Sequence, residues 1–223
     1  MQNGIMYKLA ACKDYYSIKG FDFNATQKQR EHMQRLCIPK TVNGIPVKKI
    51  EFEAFKGNLW IESLFIPSTV EYIGHQAFAQ CKNLVDVLWM GDSNKTVEMG
   101  ALVFLNCENL KTVTIHSFLK TGTKTFCKCR NLFNFACGYV DGIPSDYFVG
   151  CTSLKTVNFV KCGYLTRSSF MGTAIKRVEF HNEAPKLFDG TIEQWNSDGI
   201  TVGCLANNPL VDLMYEGIAV DII

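Results

Sequence analysis

The sequence predicts a solenoid, a single elongated domain of stacked coils about 22 residues long. Two observations carry this. The first is a recurring phenylalanine followed by apolar residues at fixed distances. After Phe78 come Cys81, Leu84, Val87 and Trp89, at plus three, six, nine and eleven. Phe104 leads Cys107, Leu110, Val113 and Ile115 at the same offsets, Phe126 leads Cys129, Leu132, Phe135 and Cys137, and Phe148 leads Cys151, Leu154, Val157 and Phe159. Phe55 leads Asn58, Ile61, Leu64 and Ile66, and Phe170 leads Thr173, Ile175, Val178 and Phe180 with one residue deleted. The second observation is the period: these anchors step by 23, 26, 22, 22 and 22 residues. Each coil leaves an apolar face that only its neighbours can cover, so the array must fold as one unit.

Ahead of the repeats, residues 5–9 and 15–19 mix apolar and polar side chains and predict a hairpin that Gly20 ends. Asn24 is placed to cap a helix over roughly residues 25–35, a stretch without Gly or Pro. Met33, Leu36 and Ile38 match the plus-six, plus-nine and plus-eleven offsets of a coil anchored at Gln27. Residues 1–35 are therefore expected to form a cap over the open end of the array, where bare strand edges would otherwise be exposed.

The repeats occupy residues 36–180. In each coil the segment from plus six to plus eleven, such as 84–89, is expected to be a strand paired in parallel with its counterparts. A second apolar pair precedes the anchor in several coils (Val47/Ile50, Val70/Ile73, Val140/Ile143, Cys162/Leu165) and predicts another short extended segment. Gly74, Gly100 and Gly122 stand between that pair and the anchor, and a short helical turn is expected around each anchor, as over 77–82. Pro39 and Pro67 directly follow strands, where proline ends pairing without removing a bond inside the ladder. A loop over 91–95 absorbs the one long interval. After Phe180 the pattern decays. A strand over 186–188, a turn into a short helix over 190–195, and closing strands over 200–202 and 210–215 make 181–223 a degenerate final repeat and C-terminal cap.

Hydrophobic residues make up 47% of the chain and aromatics 12%, enough for a continuous core. The net charge of +2 gives no general electrostatic reason to expect nucleic acid or an anionic membrane. No apolar run of about 20 residues is present to span a bilayer. No export signal is visible in MQNGIMYKLAACKDYY, so the chain is expected inside the cell as written, or on the surface or secreted if it is a mature form. Ten cysteines are present, of which Cys81, Cys107, Cys129 and Cys151 share one inward position and behave as small buried hydrophobes. Rungs about 4.8 Å apart lie within the Cα spacing of a disulfide, so distance alone does not exclude bridges. The lack of an export signal favours free thiols.

Catalytic and metal sites find little support. Of the histidines, His116 and His181 fall just past strands at turn positions. Cys127-Lys-Cys129 lacks the second pair that zinc patterns need, and Cys137 sits at an inward strand position; one of the two cysteines is expected inside and the other outside. No glycine-rich phosphate loop follows a strand, and no cofactor is implied. Asn24-Ala-Thr26 and Asn94-Lys-Thr96 match the glycosylation sequon, which matters only in a eukaryotic secretory pathway.

The segment IPSTVEYIGHQAFAQCKNL (66–84) resembles the repeat of BspA-like, or type 5, leucine-rich-repeat proteins. TVNGIPVKKIEFEAF (41–55) and FDGTIEQW (188–195) resemble the first and last parts of such arrays in gut bacteria. The resemblance covers roughly residues 36–200. Ile-Pro after the strand is kept only at 38–39 and 66–67, and Ile-Gly before the anchor only at 73–74. The resemblance implies a right-handed leucine-rich-repeat solenoid with a parallel sheet on its concave face. It also implies binding or adhesion rather than catalysis.

What remains is surface. The outward strand positions are plus seven, eight and ten. Plus ten holds Phe65, Leu88, Thr114, Ala136, Asn158 and, with the deletion, Glu179; plus seven holds Glu62, Val85, Lys111, Phe133, Lys155 and Lys176. The face is thus apolar in its N-terminal half and basic in its C-terminal half. Such rows are what a protein-binding patch looks like, although they could equally serve only as cross-strand neighbours of one another. The favoured expectation is a non-catalytic scaffold that binds a protein or glycan through the concave sheet by Phe65, Val85, Leu88, Lys111, Phe133, Lys155 and Lys176. The alternatives are a structural subunit that buries these rows in a homo-oligomer or larger assembly, and a thiol-dependent enzyme.

Overall fold

The computed structural model describes residues 4–22, 24–92, 95–166, 168–180, 185–187, 199–204 and 220–222. In chain order these form β1 (Ile5–Leu9), β2 (Tyr16–Phe21), α1 (Gln27–Gln34), β3 (Arg35–Cys37), β4 (Thr41–Val42), β5 (Ile45–Ile50), β6 (Ser63–Ile66), β7 (Tyr72–Ile73), β8 (Asp86–Trp89) and β9 (Thr96–Met99). Then follow β10 (Thr112–Thr121), β11 (Asn134–Val140), β12 (Thr156–Cys162), β13 (Tyr164–Leu165), β14 (Arg177–Phe180), β15 (Lys186–Leu187), β16 (Thr201–Cys204) and β17 (Val220–Ile222). The expected elements over 190–195 and 210–215 lie outside the described residues.

Two parallel ladders run along the solenoid. The main ladder orders β3, β6, β8, β10, β11, β12, β14, β16 and β17. Its register follows the repeat: Phe65 pairs Leu88, Leu88 pairs Thr114, Thr114 pairs Ala136 and Ala136 pairs Asn158. The second ladder orders β2, β5, β7 and β9, then the C-terminal halves of β10, β11 and β12. It is more than the short segments the sequence suggests, because β10, β11 and β12 run through the corner and belong to both ladders. The residue at plus twelve permits this without dictating it, since β8 also stops, at Trp89, with Met90 in that position. Pro39 and Pro67 lack the N–H that would continue a ladder, and β6 accordingly stops at Ile66. His116, Gly138 and Val160 hold the same position in β10, β11 and β12, and those strands continue past it.

At the N-terminal end, β1 and β2 form the antiparallel hairpin, and β2 continues onto β5 in parallel. Gly20 lies inside β2 rather than ending it, because a Cβ there would stand 2.8 Å from the Ala54 carbonyl oxygen. The helix is shorter than expected and starts later. Thr26, not Asn24, caps it: Gln29 N–H donates to Thr26 Oγ1 at 3.4 Å, and Thr26 N–H donates to Gln29 Oε1 at 2.8 Å. Asn24 instead donates its N–H to Asp22 Oδ1. The helix stops before residues 35–37 because those residues pair with β6.

The anchor segments are not helical. Ala79 N–H donates to Gln76 O and Cys81 N–H to Phe78 O, the i to i+3 pattern of successive turns. A left-handed residue follows every anchor by two positions (Gly57, Gln80, Asn106, Lys128, Gly150 and Gly172), and another precedes all but Phe170 by two (Glu53, Gln76, Leu102, Lys124 and Asp146). This conformation turns the anchor's N–H toward the next coil. Phe55, Phe78, Phe104 and Phe126 donate to the carbonyls of Ala77, Val103, Thr125 and Tyr147 at 2.7, 3.0, 2.9 and 3.1 Å. The turns are thus bonded coil to coil as the strands are.

Inside, Phe55, Phe78, Phe104, Phe126, Phe148 and Phe170 are all buried. Successive rings stack at centroid separations of 5.1, 5.5, 5.3, 5.8 and 6.0 Å. Cys81, Cys107, Cys129 and Cys151 are buried free thiols, and each donates to the carbonyl of the anchor one coil earlier. Their sulfurs stand 3.1, 3.1, 3.1 and 3.0 Å from the oxygens of Phe55, Phe78, Phe104 and Phe126. Cysteine suits the site because it is small and apolar yet carries a weak donor. Burial pushes the Cys81 thiol well above its usual range, and the neighbouring Cys107 adds to it. Burial does the same to Cys129, with Cys107 and Cys151 contributing, and raises Cys162 to about 12. Cys127, expected to face out, is only 8% exposed.

Three outcomes follow. Phe104→Ala leaves a gap between Phe78 and Phe126 and should cost about 3–5 kcal/mol; an unchanged melting temperature would contradict the stack. Lys128→Gly removes a side chain from a left-handed position and should raise stability by about 0.5–1 kcal/mol, as the urea midpoint will report. Stability should fall on the alkaline side. Above about pH 8.5 the unfolded chain releases thiol protons that the folded chain retains, so stability drops by about 1.4 kcal/mol per pH unit for each such thiol. Reduced protein unfolded in urea at about pH 8 and about pH 10 should show a lower midpoint at the higher pH; equal midpoints would mean that the thiols ionise in the folded state.

Candidate functional site: the outward face of the main ladder

The plus-seven row precedes the strands proper, yet backbone bonds hold it in line. Val85 N–H donates to Glu62 O at 2.7 Å, Lys111 to Val85 at 2.7 Å, Phe133 to Lys111 at 3.1 Å and Lys155 to Phe133 at 3.4 Å. Lys176 O accepts from Thr201 N–H at 2.8 Å, which carries the row onward. Side chains in this row therefore stand one rung apart, about 4.8 Å.

The two halves of the face differ as their residues dictate. Phe65, Val85 and Leu88 are half-buried; Phe65 and Leu88 are register partners, and Cys37, exposed, is the partner of Phe65 on the other side. Ser63 Oγ donates to Asp86 Oδ1 at 3.0 Å beside them. Arg35, Cys37, Phe65, Asp86 and Leu88 line an open depression of about 230 Å³. In the other half Lys111, Phe133, Lys155 and Lys176 are exposed, Phe133 at 46%. Among the described residues Lys111 and Lys155 have no carboxylate partner; the ion pairs use Lys48, Lys49, Lys56, Lys82, Lys120 and Lys124.

A second depression, about 220 Å³, opens further along the same strands. It is lined by Thr114, His116, Ala136, Gly138, Asn158 and Val160. The small residues of β11 form its floor, and those of β10 and β12 its walls. Ala136, Thr114 and Asn158 belong to the plus-ten row that the sequence displays. Gly138 and Val160 were not singled out there, since the strand is expected to end at plus eleven. The absence of proline at plus twelve was the signal available. A third depression of about 250 Å³ lies beside α1 among Gln27, Arg30, Glu31, Gln34, Trp60 and Glu62, and is polar.

Among the described residues, His32 and His75 are held by local contacts. His32 Nδ1 lies 2.8 Å from Lys28 O, and His75 stacks on Phe52 at 5.8 Å. His181 falls outside the described residues. Among the described residues no group of three His, Cys, Asp or Glu is placed to hold a metal ion, and no helix is long and apolar enough to cross a membrane.

The sequence matches BspA type leucine rich repeat region in six copies across residues 48–176. Among solved structures, a leucine-rich repeat protein of T. pallidum is similar with a TM-score of 0.59 and 19% identity, covering 91% of this chain and 96% of that one. A leucine rich cell surface protein of Faecalibacterium prausnitzii gives a TM-score of 0.62 and 22% identity, with 92% of this chain on 54% of that one. The chain thus spans about half the length of the second protein. At these identities the likeness concerns the fold. No curated protein matches the sequence. With its six repeat copies covering more than half of its length, the chain belongs to the BspA type leucine-rich-repeat family, whose solenoids are generally non-catalytic interaction scaffolds.

Proposed function

We propose that the protein is a non-catalytic scaffold that holds a protein or glycan partner on the outward face of the main ladder through Phe65, Val85, Leu88, Lys111, Phe133, Lys155 and Lys176. One observation carries this reading. These side chains stand in register on a sheet bonded coil to coil, with apolar character in one half and cations in the other. A rigid display loses little conformational freedom on binding, which is how preorganised surfaces gain affinity. The same face on an oligomerising subunit would be covered by its own copies. A role at the cell surface fits the neighbour from F. prausnitzii, which is described as a cell surface protein.

The test is a comparative pull-down from host lysate and surface fractions. The baits are the wild-type chain and a folded Phe65→Lys/Leu88→Lys double variant. A partner retained by wild type and lost by the variant is the expected result. Retention by both would move the interface off this half of the ladder, and a concentration-dependent mass would favour the structural subunit.

A further inference from the structure

The C-terminal half of the main ladder contains a trough with chemically distinct ends. Its floor is Ala136 and Gly138 of β11, and Phe133, just before β11, stands beyond its N-terminal end. Its walls are the neighbouring strands in register, Thr114 and His116 on β10 against Asn158 and Val160 on β12. At one end Phe133 stands between Lys111 and Lys155, each one rung away and neither ion-paired among the described residues. At the other end the floor falls to Ala136 and Gly138, and nothing lies within 4 Å of where a Gly138 Cβ would point. That end is mostly apolar, with Val160 37% exposed beside it.

We propose that this trough seats an extended acidic peptide segment of a partner protein, with a carboxylate between Lys111 and Lys155 and an aliphatic side chain in the Ala136/Gly138 notch. The inference rests on the reading of the main ladder as the binding face and narrows its partner. Charge complementarity selects the occupant. Two cations a rung to either side of Phe133 match a carboxylate, and neither is ion-paired among the described residues, which leaves that charge to be met from outside. Length selects its conformation. From Phe133 to Gly138 the chain runs five residues, about 16 Å of strand, so an extended peptide spans it with acidic and aliphatic positions about four residues apart. The apolar notch is only as wide as the glycine leaves it, which fits one branched aliphatic side chain better than a ring.

The experiment titrates the full chain with acetyl-Leu-Ser-Thr-Ser-Glu-Glu-amide and with the same residues in reverse order, read by fluorescence anisotropy of a labelled peptide. At least one order should bind wild type and weaken at about 1 M salt, where the screening length is only about 3 Å. Lys111→Glu/Lys155→Glu should weaken it about tenfold or more. Gly138→Leu, which adds its side chain into open space and so leaves the fold intact, should abolish the aliphatic contribution: a peptide with Leu replaced by Ser should bind this variant and wild type alike. No binding of either peptide overturns the proposal, as does binding that neither variant alters. Saturation by a neutral oligosaccharide such as maltohexaose with both peptides silent overturns it in favour of a glycan. Self-association that Gly138→Leu removes overturns it in favour of a second copy. If the Phe65/Leu88 variant loses its partner while the peptides stay silent, the scaffold reading stands and this inference alone falls.

Discussion

Every part of this molecule depends on one constraint: each backbone segment of a coil bonds to the equivalent segment of the next. The main ladder, the second ladder and the turns around the anchors all obey it. The rung distance, about 4.8 Å, is therefore imposed on every side chain. Inward rings must stack nearly face to face, and they do so with interplanar angles between 7° and 18°. The plus-three position must hold a small group that tolerates burial and can satisfy the carbonyl beneath it. Cysteine meets that demand four times. At the two ends of the row the demand changes and so does the residue. Asn58 accepts from the N–H groups of Trp60 and Ile61 through its Oδ1, and Thr173 donates to the Phe170 carbonyl of its own coil.

Left-handed backbone is the cost of turning three sides in so few residues. From Phe55 to Phe148, a residue with positive φ on each side of the anchor accompanies an anchor ring turned to the core. Glycine relieves the strain at plus two in the coils of Phe55, Phe148 and Phe170, while Gln80, Asn106 and Lys128 bear it in between. The strain is offset by the hydrogen bond each turn makes to its neighbour. Glycine is required more strictly four residues before the anchor, where a Cβ on Gly122 would stand 2.5 Å from Ala101 N. In the coils of Phe78, Phe104 and Phe126 the backbones approach there too closely for a side chain, whereas Glu51, Pro144 and Thr166 hold the position in the other three.

The fold was legible because of this repetition. Offsets from Phe78 or Phe104 expose the inward rows, and the strand register follows from the same count, since equivalent residues must be neighbours. The departures trace to local competition that a periodic pattern does not encode. Thr26 takes the cap because Gln29 completes a reciprocal pair with it, while Asn24 N–H is taken up by Asp22 Oδ1. The turns escape helix because their N–H groups find acceptors in the next coil. The corner strands are free to continue where His116, Gly138 and Val160 stand in place of a proline, although Met90 in the same place does not extend β8. Of the candidate site, the row of lysines around Phe133 was visible as a pattern of exposed types. The trough was not, because it exists only when β11 runs on through Gly138 between two taller neighbours.

That contrast also indicates where specificity resides. Inward rows are fixed by the rung distance, and the fold they build is shared with proteins whose identity with this chain is only 19% and 22%. A fold held in common at such identity does not define a function. The outward rows bear no such constraint, since a side chain pointing to solvent costs the stack nothing whatever its size or charge. Lys111, Phe133 and Lys155 stand where the coil pattern asks only for a residue. Gly138 stands where its neighbours hold His116 and Val160. The stacking of the core leaves the side chains at these positions free to vary, and it is there that the proposed partner would be read.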